Sequence, residues 1–144
     1  LGDPAIYSTG FYVCETLQEY GCPFKVEIIP GVSAIGASSA VSSMPLCLGD
    51  ERLVVIPATF ENDQINEILA LSDAAVFMKV SKVMERLVGL LDELGLVDNA
   101  VLVERCSLSD QRVWTNIREA VGQDLHYFST MVVRKNGCQA GKVL

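Results

Sequence analysis

Three short stretches of this chain combine residue types suited to holding a small molecule. The first is Gly2-Asp3-Pro4-Ala5-Ile6-Tyr7-Ser8-Thr9. Glycine lets a backbone come close to a ligand. Aspartate offers an acceptor for hydroxyl or ammonium groups. Proline suits the first position of a helix, where its missing N–H is not needed, and the N–H groups of such a helix start attract anions. The same string reads equally as an ordinary turn with an Asp cap. The second stretch is Pro30-Gly31-Val32-Ser33-Ala34, a tight turn with Ser33 placed to cap a helix of small residues. The third pairs Met78-Lys79-Val80 with Glu104-Arg105-Cys106-Ser107. A Met thioether packs well on a flat ring, although Met in a core strand is commoner, and Glu104-Arg105 also reads as a solvated strand end.

The elements that position these stretches follow from periodicity and punctuation. Tyr7–Tyr20 reads as a helix, ended by Gly21 and Pro23. Phe24–Ile29 reads as a strand, and Ala34–Ser43 as a second helix. Strands are expected at Arg52–Pro57, Ala74–Val80, Ala100–Glu104 and Tyr127–Arg134, with a short one at Arg112–Thr115. Helices are expected at Glu61–Leu71, Lys82–Leu94 and Asn116–Val121. In Lys82–Leu94 the residues Val83, Leu87, Leu90, Leu91 and Leu94 share one face, and Gly95 caps the end. Near-continuous alternation of strand and helix means an α/β fold. In such sheets ligands bind beyond the carboxyl ends of the strands, where the three stretches fall. A boundary is expected near Glu19–Phe24, dividing residues 1–22 from an α/β domain over residues 23–144.

Composition narrows the function. Half of the 144 residues are apolar and a fifth are charged, enough for a core. The net charge of −7 disfavours nucleic acid and anionic membrane surfaces. No apolar run approaches the roughly 20 residues of a membrane span, so a soluble, cytoplasmic protein is expected. Cys14, Cys22, Cys47, Cys106 and Cys138 form no CxxC pair, and His126 is the only histidine. Buried free thiols, no protein metal site, and a surface or strand-edge His126 follow. Dinucleotide, Walker and nucleophile-elbow motifs are absent.

Taken in order, Gly2-Asp3-Pro4 and Pro30-Gly31-Val32-Ser33-Ala34 resemble the tetrapyrrole methylase family, which has a strand–Gly-Asp-Pro–helix loop and then a Pro-Gly-[Ser/Thr] loop opening a small-residue helix. Finer strings resemble the branch acting on carbon 20 of precorrin-2 or its cobalt complex. These are Gly2–Thr9, Pro30–Ala40, Met44–Leu46, Val54–Ala58, Phe77–Val80, Val103–Ser107 and Tyr127–Val133. The family begins with a further strand and a glycine-rich loop that this sequence lacks. The resemblance therefore implies a C-terminal mixed sheet flanked by helices, with most of an N-terminal α/β domain missing and residues 1–22 its remnant. It implies a fragment inactive alone.

The resemblance also implies a cofactor, S-adenosylmethionine, leaving as S-adenosylhomocysteine. Its contacts would be Leu1, Gly2, Asp3 and Ile6; Ser33, Ala34 and Met78 flanking the adenosine; Cys106 closing the pocket; and Phe128 and Ser129 from the last strand. The three turns would converge on one crevice. No nucleophilic side chain is required; Tyr7 or Ser8 would orient substrate or relay a proton. A tetrapyrrole substrate and a homodimer complete the implication. Methylation at another ring position, a non-catalytic nucleotide-binding module and a dimerisation scaffold are the alternatives.

Overall fold

The computed structural model describes residues 2–136. They fall into two compact units, Leu1–Ala34 and Ile35–Leu144. Leu1 and Cys138, both named above, lie outside the described residues.

The first unit holds one helix, α1 (Thr9–Glu19). Pro4 does not open it. Residues 4–7 form turns instead, and Tyr7 takes a positive φ of 52° that no helix allows. Ser8 is the cap, its hydroxyl accepting from the Gly10 amide at 3.0 Å. Gly21, at φ 64°, turns the chain out of the helix, with its N–H on the Gln18 carbonyl. The strand expected at Phe24–Ile29 is not formed: no described strand pairs with it, and a strand exists only through its ladder.

The second unit is a five-stranded sheet with helices. Helix α2 (Ala34–Ser42) leads into β1 (Leu53–Pro57), α3 (Asn62–Ala70), β2 (Ala74–Met78), α4 (Met84–Glu93), β3 (Ala100–Glu104), β4 (Arg112–Trp114) and β5 (Ser129–Arg134). Single 3-10 turns occupy Val97–Asn99 and Ile117–Ala120; the latter replaces the helix expected at Asn116–Val121. The strand order is β1-β2-β5-β3-β4. Only β1 and β2 pair in parallel; β5 runs antiparallel to both β2 and β3, and β4 antiparallel to β3. The sheet is therefore mixed, as expected.

Each sheet face has its own core, because successive strand residues point to opposite sides. Ala75, Phe77, Leu102, Met131 and Val133 pack with Ile65 and Leu69 of α3 and Leu87, Leu90 and Leu91 of α4. Val76, Val101 and Val132 pack on the other side with Ile35, Met44 and Leu46. Leu94 does not share the α4 apolar face. It follows the last helical residue, beside Gly95 with φ 67°, and is exposed. The four cysteines among the described residues are free, but not buried as expected: Cys22 and Cys47 are exposed, and Cys14 and Cys106 half-buried. Among the described residues no helix is long and apolar enough to cross a membrane.

Candidate functional site

In the first unit, Asp3 joins the two loops. One carboxylate oxygen accepts from Ala5 N at 2.8 Å, bracing its own turn. The other accepts from Gly31 N at 3.2 Å. The loops touch backbone to backbone: a Cβ on Gly31 would stand 2.6 Å from the Gly2 carbonyl oxygen. Gly2 itself sits at φ 87°, open to glycine and strained for other residues. Its neighbours on that side are the Val32 carbonyl and the Ala34 amide. The Gly2-Asp3 and Pro30–Ala34 loops thus form one cluster of accessible backbone groups around a carboxylate. Ile6 and Tyr7 stand exposed beside it.

In the second unit, register brings one end of the sheet together. β1, β2 and β3 run in the same direction, so Pro57, Met78 and Glu104 end where β5 begins at Ser129. The turns leaving this end are unusual. Lys79, after β2, has φ 61°, and Arg105, after β3, has φ 49°. Left-handed non-glycine residues cost energy and gather where a site constrains the backbone. Lys79 also explains why β2 stops at Met78 rather than Val80. The Met78 carbonyl is held by the Ala58 amide at 2.8 Å, and the Ala58 carbonyl by Arg86 of α4 at 2.5 Å.

Directly opposite residues of an antiparallel pair share a face. Met78 is paired with Thr130, whose hydroxyl lies 3.8 Å from the Met78 sulfur. Ser129 pairs with Glu104 and points to the other face. Its hydroxyl donates to the His126 carbonyl at 2.6 Å. Met78 and Ser129 are thus at one end of the sheet but on opposite sides of it. Thr130 is the residue that stands beside Met78. The sequence does not single it out: alternation puts Ser129 and Thr130 on opposite faces, and the β2–β5 register decides which of them meets Met78. β5 begins at Ser129, two residues later than expected, because the Phe128 carbonyl is taken by the Arg105 amide at 2.7 Å and Ser129 N closes a tight turn on Tyr127 O. Phe128 is 48% exposed. Cys106, in the Arg105 turn, is half-buried with its sulfur 3.8 Å from the Ser107 hydroxyl.

Glu104 is no solvated strand end. It is 2% exposed. Arg112 Nε donates to it at 2.5 Å, Arg112 Nη2 at 2.8 Å and the His126 amide at 2.7 Å. Burial pushes the carboxyl pKa up, but these donors outweigh it and hold the group below its ordinary value of 4.5. His126 is half-buried, and its Nδ1 accepts from Phe128 N at 3.0 Å. A folded-state pKa below the unfolded one means Glu104 adds stability above pH 4.5 that is lost as pH falls through the folded value. The denaturation midpoint of the native chain should therefore exceed that of Glu104→Gln at neutral pH, and the gap should shrink below pH 4.5. A gap that is flat or grows with acid would show that the charge is not what counts.

Backbone amides, a carboxylate, a hydroxyl and a thioether are the chemistry on offer. Among the described residues no group of three or more His, Cys, Asp or Glu side chains could hold a metal ion. The family profile "Tetrapyrrole (Corrin/Porphyrin) Methylases" matches residues 1–121. The chain belongs to the tetrapyrrole methylases. It is 36% identical over 137 residues to the cobalt-precorrin-2 C(20)-methyltransferase of Salmonella typhimurium, covering 94% of this chain and 56% of that protein. It is 32% identical over 132 residues to the precorrin-2 C(20)-methyltransferase of a Sinorhizobium species, covering 92% and 52%. The chain thus spans about half the length of these curated relatives. The tetrapyrrole methylase fold is also that of the uroporphyrin-III C-methyl transferase of Thermus thermophilus, solved with S-adenosylhomocysteine. The TM-score is 0.63 at 20% identity, over 93% of this chain and 63% of the other.

Proposed function

We propose that this chain takes part in S-adenosylmethionine-dependent methylation of carbon 20 of precorrin-2 or its cobalt complex, a step of cobalamin biosynthesis. The observation that carries this reading is the 36% identity to a carbon-20 enzyme over 94% of the chain. The two backbone clusters suit the cofactor. Gly31 lets the Gly2-Asp3 and Pro30–Ala34 loops meet backbone to backbone, which gathers their polar groups in one place. Asp3 keeps spare lone pairs for a hydroxyl or ammonium group. Met78 offers a polarisable apolar surface to a flat base. Ala34, Ser33, Cys106, Phe128 and Ser129 complete the proposed contacts, with Thr130 added from the strand register.

When bound, S-adenosylmethionine supplies a methyl group already activated for transfer to an electron-rich carbon. The chain's own residues have to position and exclude. Alignment of donor and acceptor can supply about 7–11 kcal/mol of the barrier. The rigid turns at Lys79 and Arg105, and the Asp3 clasp on Gly31, serve that purpose. Ser8 spends its oxygen capping α1 but retains a proton to donate, and Tyr7 stands exposed one residue earlier. These two are the substrate-orienting candidates. A second copy of the chain is the expected partner.

Two measurements test this. S-adenosylhomocysteine at about 100 times its dissociation constant should stabilise the chain by about 2.7 kcal/mol. Carried in a protein of its relatives' full length, the chain should, with methyl-labelled S-adenosylmethionine and precorrin-2, give a product labelled at carbon 20 by NMR. Label at another ring position would move the chain to a different branch of the family. Absence of any stabilisation by S-adenosylhomocysteine would remove the cofactor reading itself.

A further inference from the structure

We infer that Glu104 is a positioning residue: its carboxylate sets the two turns, Arg105–Ser107 and His126–Ser129, that are the proposed cofactor contacts at this end of the sheet. This rests on the reading that the chain binds S-adenosylmethionine. The geometry is specific. Glu104 ends β3 between two register partners, Arg112 on β4 and Ser129 on β5. Its Oε1 accepts both from Arg112 Nη2 and from the His126 amide, while Oε2 accepts from Arg112 Nε. The His126 amide is the first group of the turn that then closes on itself. Phe128 N donates to His126 Nδ1, and the Ser129 hydroxyl to His126 O. The residue that follows β3, Arg105, donates its amide to Phe128 O, so the two turns are bonded to each other just past the carboxylate. Arg105 Nε is in turn held by Asp110 at 2.6 Å, which closes the Arg105–Asp110 loop. One buried anion therefore organises β4, the His126 turn and the start of the Cys106 turn. A buried charge satisfied by three donors is costly to disturb, so the arrangement is rigid.

The test is Glu104→Gln. The amide keeps the shape but can accept on one side only. If it accepts from His126, its NH2 group faces Arg112 Nε–H, donor against donor. Two readouts are taken on the whole chain: S-adenosylhomocysteine affinity by calorimetric titration, and hydrogen exchange of the amides at 105–107 and 126–129. Leu90→Ala, in the α4 core, is the control for lost stability alone. The dissociation constant should rise about tenfold in Glu104→Gln, exchange in both turns should quicken, and Leu90→Ala should leave affinity unchanged. An unchanged dissociation constant in Glu104→Gln overturns the inference, whether or not exchange changes. So does an equal loss of affinity in Leu90→Ala, which would reduce Glu104 to a stabilising residue. If the native chain binds no S-adenosylhomocysteine, the proposed cofactor reading fails first, and visibly before any variant is compared.

Discussion

Replacing Gly31 by alanine is expected to weaken S-adenosylhomocysteine binding by about 5- to 150-fold, the equivalent of about 1–3 kcal/mol. The added Cβ would lie 2.6 Å from the Gly2 carbonyl oxygen, 3.2 Å from the Gly2 carbonyl carbon and 3.7 Å from Asp3 Cα. All three are backbone atoms, so no side chain can swing aside. The Gly2-Asp3 loop must separate from the Pro30–Ala34 loop. That separation also breaks the bond from Gly31 N to Asp3, which ties Asp3 to a loop outside its own turn. Both loops are proposed cofactor contacts, so binding should register the change directly. Calorimetric titration of Gly31→Ala against the native chain is the measurement. Equal affinity would mean that these loops do not hold the cofactor.

Phe77→Ala is expected to cost about 3–5 kcal/mol of folding stability. Phe77 has no exposed surface and lies in β2, directly between Ile56 of β1 and Met131 of β5. Its ring fills the face that α3 and α4 cover. Truncation leaves a cavity under the interior strand of the sheet, and β2 also carries Met78 at its end. The urea midpoint of the chain should fall strongly, and that of Phe77→Leu much less. Comparable losses for the two substitutions would indicate that the core collapses around the site instead of leaving a void.

The second unit was largely legible. β3 runs over Ala100–Glu104 as expected, because an apolar β-branched run is bounded by Asn99 and Arg105. The helices and strands around it shifted by one or two residues at their ends, where capping and fraying decide. What stayed hidden is non-local. Phe24–Ile29 has the composition of a strand, yet composition cannot supply the neighbour that a ladder needs. Glu104 looked solvated because its partners, Arg112 and His126, are brought to it only by the pairing of β3 with β4 and by the turn before β5. Ser129 and Thr130 are adjacent in sequence but opposite in direction, and only the register with Met78 says which of them faces it. The family resemblance implies that the Gly2-Asp3 and Pro30–Ala34 loops converge, but not through which atoms. The clasp between them is a contact across 28 positions that no local pattern announces.

Amide chemical-shift mapping during titration with S-adenosylhomocysteine tests the central claim most directly. Saturable shifts are expected at residues 2–6 and 31–34 of the first unit, and at residues 78–79, 105–107 and 127–130 of the second. Shifts confined to the opposite end of the sheet, around Leu69, Asp73 and Lys135, or no shifts at millimolar ligand, would contradict it.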